Sequence, residues 1–118
     1  MADREMTIHE LKERIIAMCI EKGWGDGEGV QNPQHVAMAM TVEMSELLEH
    51  FQWLTPDDVD KLLRKEDPVR IAMIGEEFAD VMMYGLQLMR ALGIDVSEQI
   101  LRKIEIVRGR TYEEEAPR

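Results

Sequence analysis

Apolar residues along this chain recur with the period of helices. Ile8, Leu11, Ile15, Ile16 and Cys19 share one face at helical spacing, which predicts an amphipathic helix. Thr7 and Glu10 form a capping box at its start, placing it over about 7–22. GWGDGEG follows, with glycine at alternate positions. Each glycine costs ~1 kcal/mol in a helix relative to alanine, so 23–31 reads as a loop. Asn32-Pro33 opens a second helix, Asn as N-cap and Pro at the first helical position, running to about Phe51 or Trp53. Thr55-Pro56-Asp57-Asp58 starts a short third helix with acids in its first turn. Asp67-Pro68 starts the fourth and longest, which Gly93 closes. Asp95 or Ser97 caps a fifth, to about Arg108, and the polar end at 111–118 is expected to fray. No stretch alternates with the period of a strand. The expectation is a single all-α domain over 1–118, a four-to-five-helix bundle.

Two acidic pairs stand at i, i+3 spacing: Glu43 with Glu46, and Glu77 with Asp80. With 24 acids in 118 residues, the spacing alone carries little, and a solvated helix face is the ordinary reading. Angular position changes this. At 100° per residue, Val36, Met40, Leu47 and Phe51 form one apolar stripe of the second helix, and Glu43 falls inside it. Glu46 lies at the edge, while Ser45 and Glu49 point outward. On the fourth helix Glu77 borders the apolar surface, Tyr84 follows at i+7, and Asp80 sits nearer the polar side.

A carboxylate turned toward a core must be paired, protonated or bound to a metal. Neither stripe offers an intrahelical Lys or Arg. Four carboxylates brought together on facing helices would repel strongly, and a divalent cation resolves the repulsion. An all-oxygen donor set points to a hard ion, Mg²⁺ or Mn²⁺. A di-iron bundle needs Glu-x-x-His from two helices. Here His50 stands four residues after Glu46 and the fourth helix has no histidine. His50 shares the stripe with Glu43, and a core or interface role is favoured over ligation.

Other residues carry secondary signals. Trp24 and Trp53 lie near helix ends and offer stacking surfaces for a flat ligand such as a nucleobase, or serve as core aromatics. Lys103, Arg108 and Arg110 form a basic helix end that favours the helix dipole and can also meet phosphates. Met38 and Val42 occupy the side of the second helix opposite its main stripe. That side needs a second cover, expected from another subunit. The glycine-rich loop matches neither a P-loop nor a dinucleotide fingerprint.

Composition narrows the partners. Lys plus Arg is 14 against 24 acids, a formal net charge of −10. That balance disfavours nucleic acid and anionic membranes as partners. The single Cys19 excludes an internal disulfide and a multi-cysteine zinc site. No apolar run approaches the ~20 residues of a membrane span, and MADREMTIHELKER lacks the apolar stretch of a signal peptide. A cytoplasmic, soluble protein is expected.

EMSELLEHFQW and EEFADVMMYGLQL together carry E-x-x-E, a spacer and E-x-x-D. With NPQHVAMAM before them and LGIDVSEQILRKIE after, the chain resembles, over about 22–108, the all-α nucleoside triphosphate pyrophosphohydrolases of the MazG-like and dCTP-pyrophosphatase group. The resemblance implies Mg²⁺-dependent cleavage of a (deoxy)nucleoside triphosphate to monophosphate and pyrophosphate, as in nucleotide-pool house-cleaning, by a homodimer or homotetramer with its site partly between subunits. Glu43, Glu46, Glu77 and Asp80 would hold metal, and Glu46 would activate water. Trp24, Trp53, Tyr84, Lys103 and Arg108 would contact substrate. Gln31 and Val107 stand where the group often has His and Asn. Two alternatives are compatible with the sequence: a non-catalytic helical interaction module, and a phosphoribosyl-ATP pyrophosphohydrolase. The FQW and LGID stretches resemble the dCTP-pyrophosphatase side more closely.

Overall fold

The computed structural model describes residues 1–110. The polar end at 111–118, expected to fray, lies outside the described residues. Six helices occupy the described chain, and none of its residues is in a strand. They are α1 (Ala2–Glu5), α2 (Ile8–Lys22), α3 (Pro33–Glu49), α4 (Pro56–Leu63), α5 (Pro68–Ala91) and α6 (Val96–Arg108). The expected four or five becomes six because α1 is a single turn, too short to show a period, with no side-chain cap.

The other helix starts are where the caps place them. Thr7 accepts from the Glu10 amide, and Asn32 from the amides of Gln34 and His35. Thr55 and Asp58 form a reciprocal capping box. Asp67 and Asp95 accept from the amides of Arg70 and Glu98. Each interaction satisfies amide groups that a helix start leaves without partners. The second predicted helix ends earlier than expected, at Glu49. The amides of Phe51 and Gln52 both turn back to the Leu48 carbonyl, so the chain from 50 to 53 is a turn and not helix. In the 23–31 loop, Asp26 Oδ1 accepts from the amides of Glu28 and Val30. These bonds hold the Asp26 carboxyl below its usual range.

The packed core is formed by α3 against α5, with α2 against α5 as the second contact. Gln31 meets Gln87, Met40 faces Gly85, and His50 meets Glu77 and Arg70. Residue numbers on the two sides run in opposite senses, so α3 and α5 are antiparallel. A Cβ on Gly85 would lie 3.2 Å from Met40 Cε, so the flexible end of that methionine packs directly over the glycine. Ile16, Cys19, Val36, Val81 and Leu86 are buried. Cys19 is a free thiol that burial pushes up in pKa. Lys12 Nζ ties α2 to the α5–α6 turn by donating to the Ile94 carbonyl at 2.6 Å.

One expectation about the bundle is corrected. α6 is not a packed member of it: every residue from 97 to 110 is exposed. Ile100, Leu101 and Ile104 give this helix an apolar side that is exposed among the described residues. No helix among the described residues is long and apolar enough to cross a membrane.

Candidate metal centre

The antiparallel α3–α5 pair decides which acids meet. Glu43 comes from the middle of the inward stripe of α3, flanked one turn away by Met40 and Leu47. Glu77 and Asp80 come from adjacent turns of α5. Glu43, Glu77 and Asp80 each offer one carboxylate oxygen, and these three oxygens lie within 4.8 Å of one another. Glu43 and Glu77 are half-buried and Asp80 is exposed, so the group sits at the edge of the interhelical contact, open on the Asp80 side. Asp80 reaches the others despite its more polar position.

Glu43 Oε2 and Glu77 Oε2 are buried and have no hydrogen-bond partner. Two buried oxygens without partners on facing helices are unfavourable, because each has given up water without gaining a protein donor. Burial, the adjacent Glu46, and the charges of Asp80 and Glu77 push the Glu43 carboxyl above the usual carboxylate range. Glu46 is exposed beside Glu43 and falls outside the group of three. The donor set is hard oxygen throughout, with orphaned buried lone pairs, which fits Mg²⁺ or Mn²⁺. A cation held there would remove both the repulsion and the unsatisfied oxygens.

The remaining candidate residues are distributed unequally. Tyr84 is half-buried one turn beyond Asp80 on α5. Trp24 follows the left-handed Gly23 at the end of α2 and is 46% exposed, while Trp53, in the turn after α3, is 84% exposed. Lys103 and Arg108 ride on the exposed α6, and Arg108 pairs with Glu105 of the same helix at 2.9 Å. Among the described residues neither forms an ion pair with the carboxylates of α3 and α5. Gln31 is joined to α5: its Nε2 donates to Gln87 Oε1 at 2.7 Å, and Gln87 is 6% exposed. Sequence reasoning did not pick out Gln87. The available signal was a polar residue seven positions after Asp80 in an apolar stretch.

An all-helical chain with acids of this spacing converging from two helices belongs to a recognisable class, and comparison with known proteins identifies it. The MazG-like family model matches residues 38–116. The chain belongs to the MazG-like family. It is 28% identical over 106 residues to dCTP pyrophosphatase 1 of Homo sapiens, a match covering 90% of this chain and 59% of that protein. The enzymes of the same name from Mus musculus and Bos taurus are each 26% identical over 106 residues, covering 59% and 60% of their lengths. The chain thus spans about 59% of the length of the curated relatives it matches.

Proposed function

We propose that this chain is a nucleoside triphosphate pyrophosphohydrolase that cleaves a (deoxy)nucleoside triphosphate, dCTP-like by preference, to the monophosphate and pyrophosphate. The observation that carries the proposal is the meeting of Glu43, Glu77 and Asp80 with two orphaned buried oxygens, in a chain of the MazG-like family. The similarity to dCTP pyrophosphatase 1 supports the choice of substrate.

Glu43, Glu77 and Asp80 would hold Mg²⁺, or Mn²⁺, with Glu46 at the open edge. Bound there, the cation offsets triphosphate charge and polarises the phosphoryl oxygens. Glu46, exposed next to the group, would take the proton of a water attacking the α-phosphorus. The water oxygen bonds to that phosphorus as the bond to the α,β-bridging oxygen breaks, and pyrophosphate leaves. Trp24, Trp53 and Tyr84 would flank base and sugar. Lys103 and Arg108 would neutralise the β- and γ-phosphates. Incubation with a panel of triphosphates and Mg²⁺ should yield monophosphate and pyrophosphate, fastest with a pyrimidine deoxynucleotide. No turnover of any triphosphate would overturn this reading in favour of a non-catalytic interaction module.

The proposal includes assembly. Met38 and Val42 on α3 are 62% and 58% exposed, and Leu101 on α6 is 65% exposed. Apolar surface on two separate helices calls for a cover, and a second copy supplies one. Light scattering at micromolar concentration should therefore give a dimer or tetramer. A monomer mass would remove this part of the proposal.

A further inference from the structure

We propose that His50 is a positioning residue for Glu77, fixing which carboxylate oxygen is free to bind the cation; the inference rests on the metal reading above. His50 Nε2 lies 3.9 Å from Glu77 Oε1, and the two side chains are 16% and 26% exposed. The other oxygen, Oε2, is the buried one without a partner. The two oxygens of one carboxylate therefore have different surroundings: one faces an imidazole, the other is unpartnered.

The ring stands on a well-anchored backbone. His50 caps the C-terminus of α3, with its amide bonded to the carbonyls of Leu47 and Leu48. Its own carbonyl accepts from Arg70 Nη1 of α5 at 3.2 Å, and the Arg70 side chain is held in turn by Asp67 at 3.2 Å. Both ends of the histidine–glutamate contact are thus tied to the same helix pair. At 3.9 Å the contact is longer than a hydrogen bond, and closing it needs a movement of about 1 Å. An Nε2–H that donates to Oε1 stops the carboxylate rotating about its last torsion and leaves the buried, unpartnered Oε2 as the oxygen free for the cation. Groups that orient a metal-binding carboxylate in this way typically change metal affinity about 10–100-fold when removed.

Mn²⁺ binding to the full chain tests this without turnover. Dissociation constants are measured by calorimetry and by the spin resonance of free Mn²⁺ for the wild type, His50→Leu and His50→Gln. His50→Leu should bind Mn²⁺ about 10–100-fold more weakly, whereas His50→Gln, which keeps a donor of similar reach, should recover most of the loss. Should His50→Leu unfold, His50→Asn, a donor too short to reach, takes its place. Equal affinity in wild type and the leucine variant overturns the inference. So does failure of glutamine to recover affinity, because packing alone would then account for the loss. A nitrogen bonded directly to Mn²⁺ in the wild-type spectrum also overturns it, since His50 would then be a ligand. If the wild type binds no Mn²⁺, the carboxylate reading falls, and this inference with it.

Discussion

Glu77→Gln and Glu43→Gln should each lose most of the triphosphate hydrolysis while the chain stays helical. Both substitutions keep the side chain's size and remove one charge from the group of three oxygens within 4.8 Å. Loss of one transition-state charge contact corresponds to ~10²–10³ in rate, or roughly 2.7–4 kcal/mol. Asp80→Asn should fall in the same range, and so should Glu46→Gln if it handles the proton of the attacking water. The control is Glu49→Gln on the exposed outer side of α3, which should leave the rate unchanged. Product identity is the sharper readout. Attack at the α-phosphorus gives a monophosphate and pyrophosphate, whereas attack at the γ-phosphorus gives a diphosphate and orthophosphate. Full activity in Glu43→Gln, or a nucleoside diphosphate product, would falsify the proposed chemistry. Circular dichroism of each variant separates lost chemistry from lost folding. The amides are expected to fold at least as well as the wild type, because they relieve repulsion in the metal-free chain.

Mg²⁺ should raise the melting temperature, and the rise should grow with pH. At 100 times its dissociation constant a ligand adds about 2.7 kcal/mol of stability. The pH dependence follows from Glu43, whose carboxyl is held above its ordinary value by burial, then by Glu46, Asp80 and Glu77. A raised folded-state pKa means that the folded chain keeps a proton that the unfolded chain has already released. Metal-free stability is therefore highest below the unfolded carboxylate value, and it declines as pH rises through the folded one. The cation needs the deprotonated carboxylate and competes with that proton. Melts with Mg²⁺ and with chelator should nearly coincide at the acid end of this window and separate at its upper end. Coincident melts at neutral pH and saturating Mg²⁺ would count against the metal centre.

How far the sequence reached can be traced residue by residue. Every helix longer than one turn was legible from its first residues, because Thr7, Asn32, Thr55, Asp67 and Asp95 announce caps by local chemistry alone. The inward placement of Glu43 was legible from its angle on α3. Other features depend on how α3 and α5 are phased against each other, which no single-helix pattern encodes. The reach of the exposed Asp80 into the group is one of them. The contact of His50 with Glu77 has the same origin. α6 shows the opposite limit. Its cap and its basic end were readable, but local chemistry says nothing of whether a helix packs against its own chain.

The loop between α2 and α3 bears on how a mutational map of this protein would look. Gly23, Gly25, Gly27 and Gly29 all have positive φ, from 72° to 92°. An L side chain in the left-handed region costs roughly 1–2 kcal/mol. At Gly25 and Gly29 a Cβ would also meet backbone oxygens, at 2.5 Å from Val30 and 3.0 Å from Ile16. Trp24, Asp26 and Glu28 between them are exposed. A scan of folding stability would thus record a strain cost at every second position from 23 to 29, with Asp26 added because its carboxylate accepts from two loop amides. That is the periodic signature ordinarily taken for a half-buried strand, written here by backbone handedness in a segment where no residue pairs in a sheet.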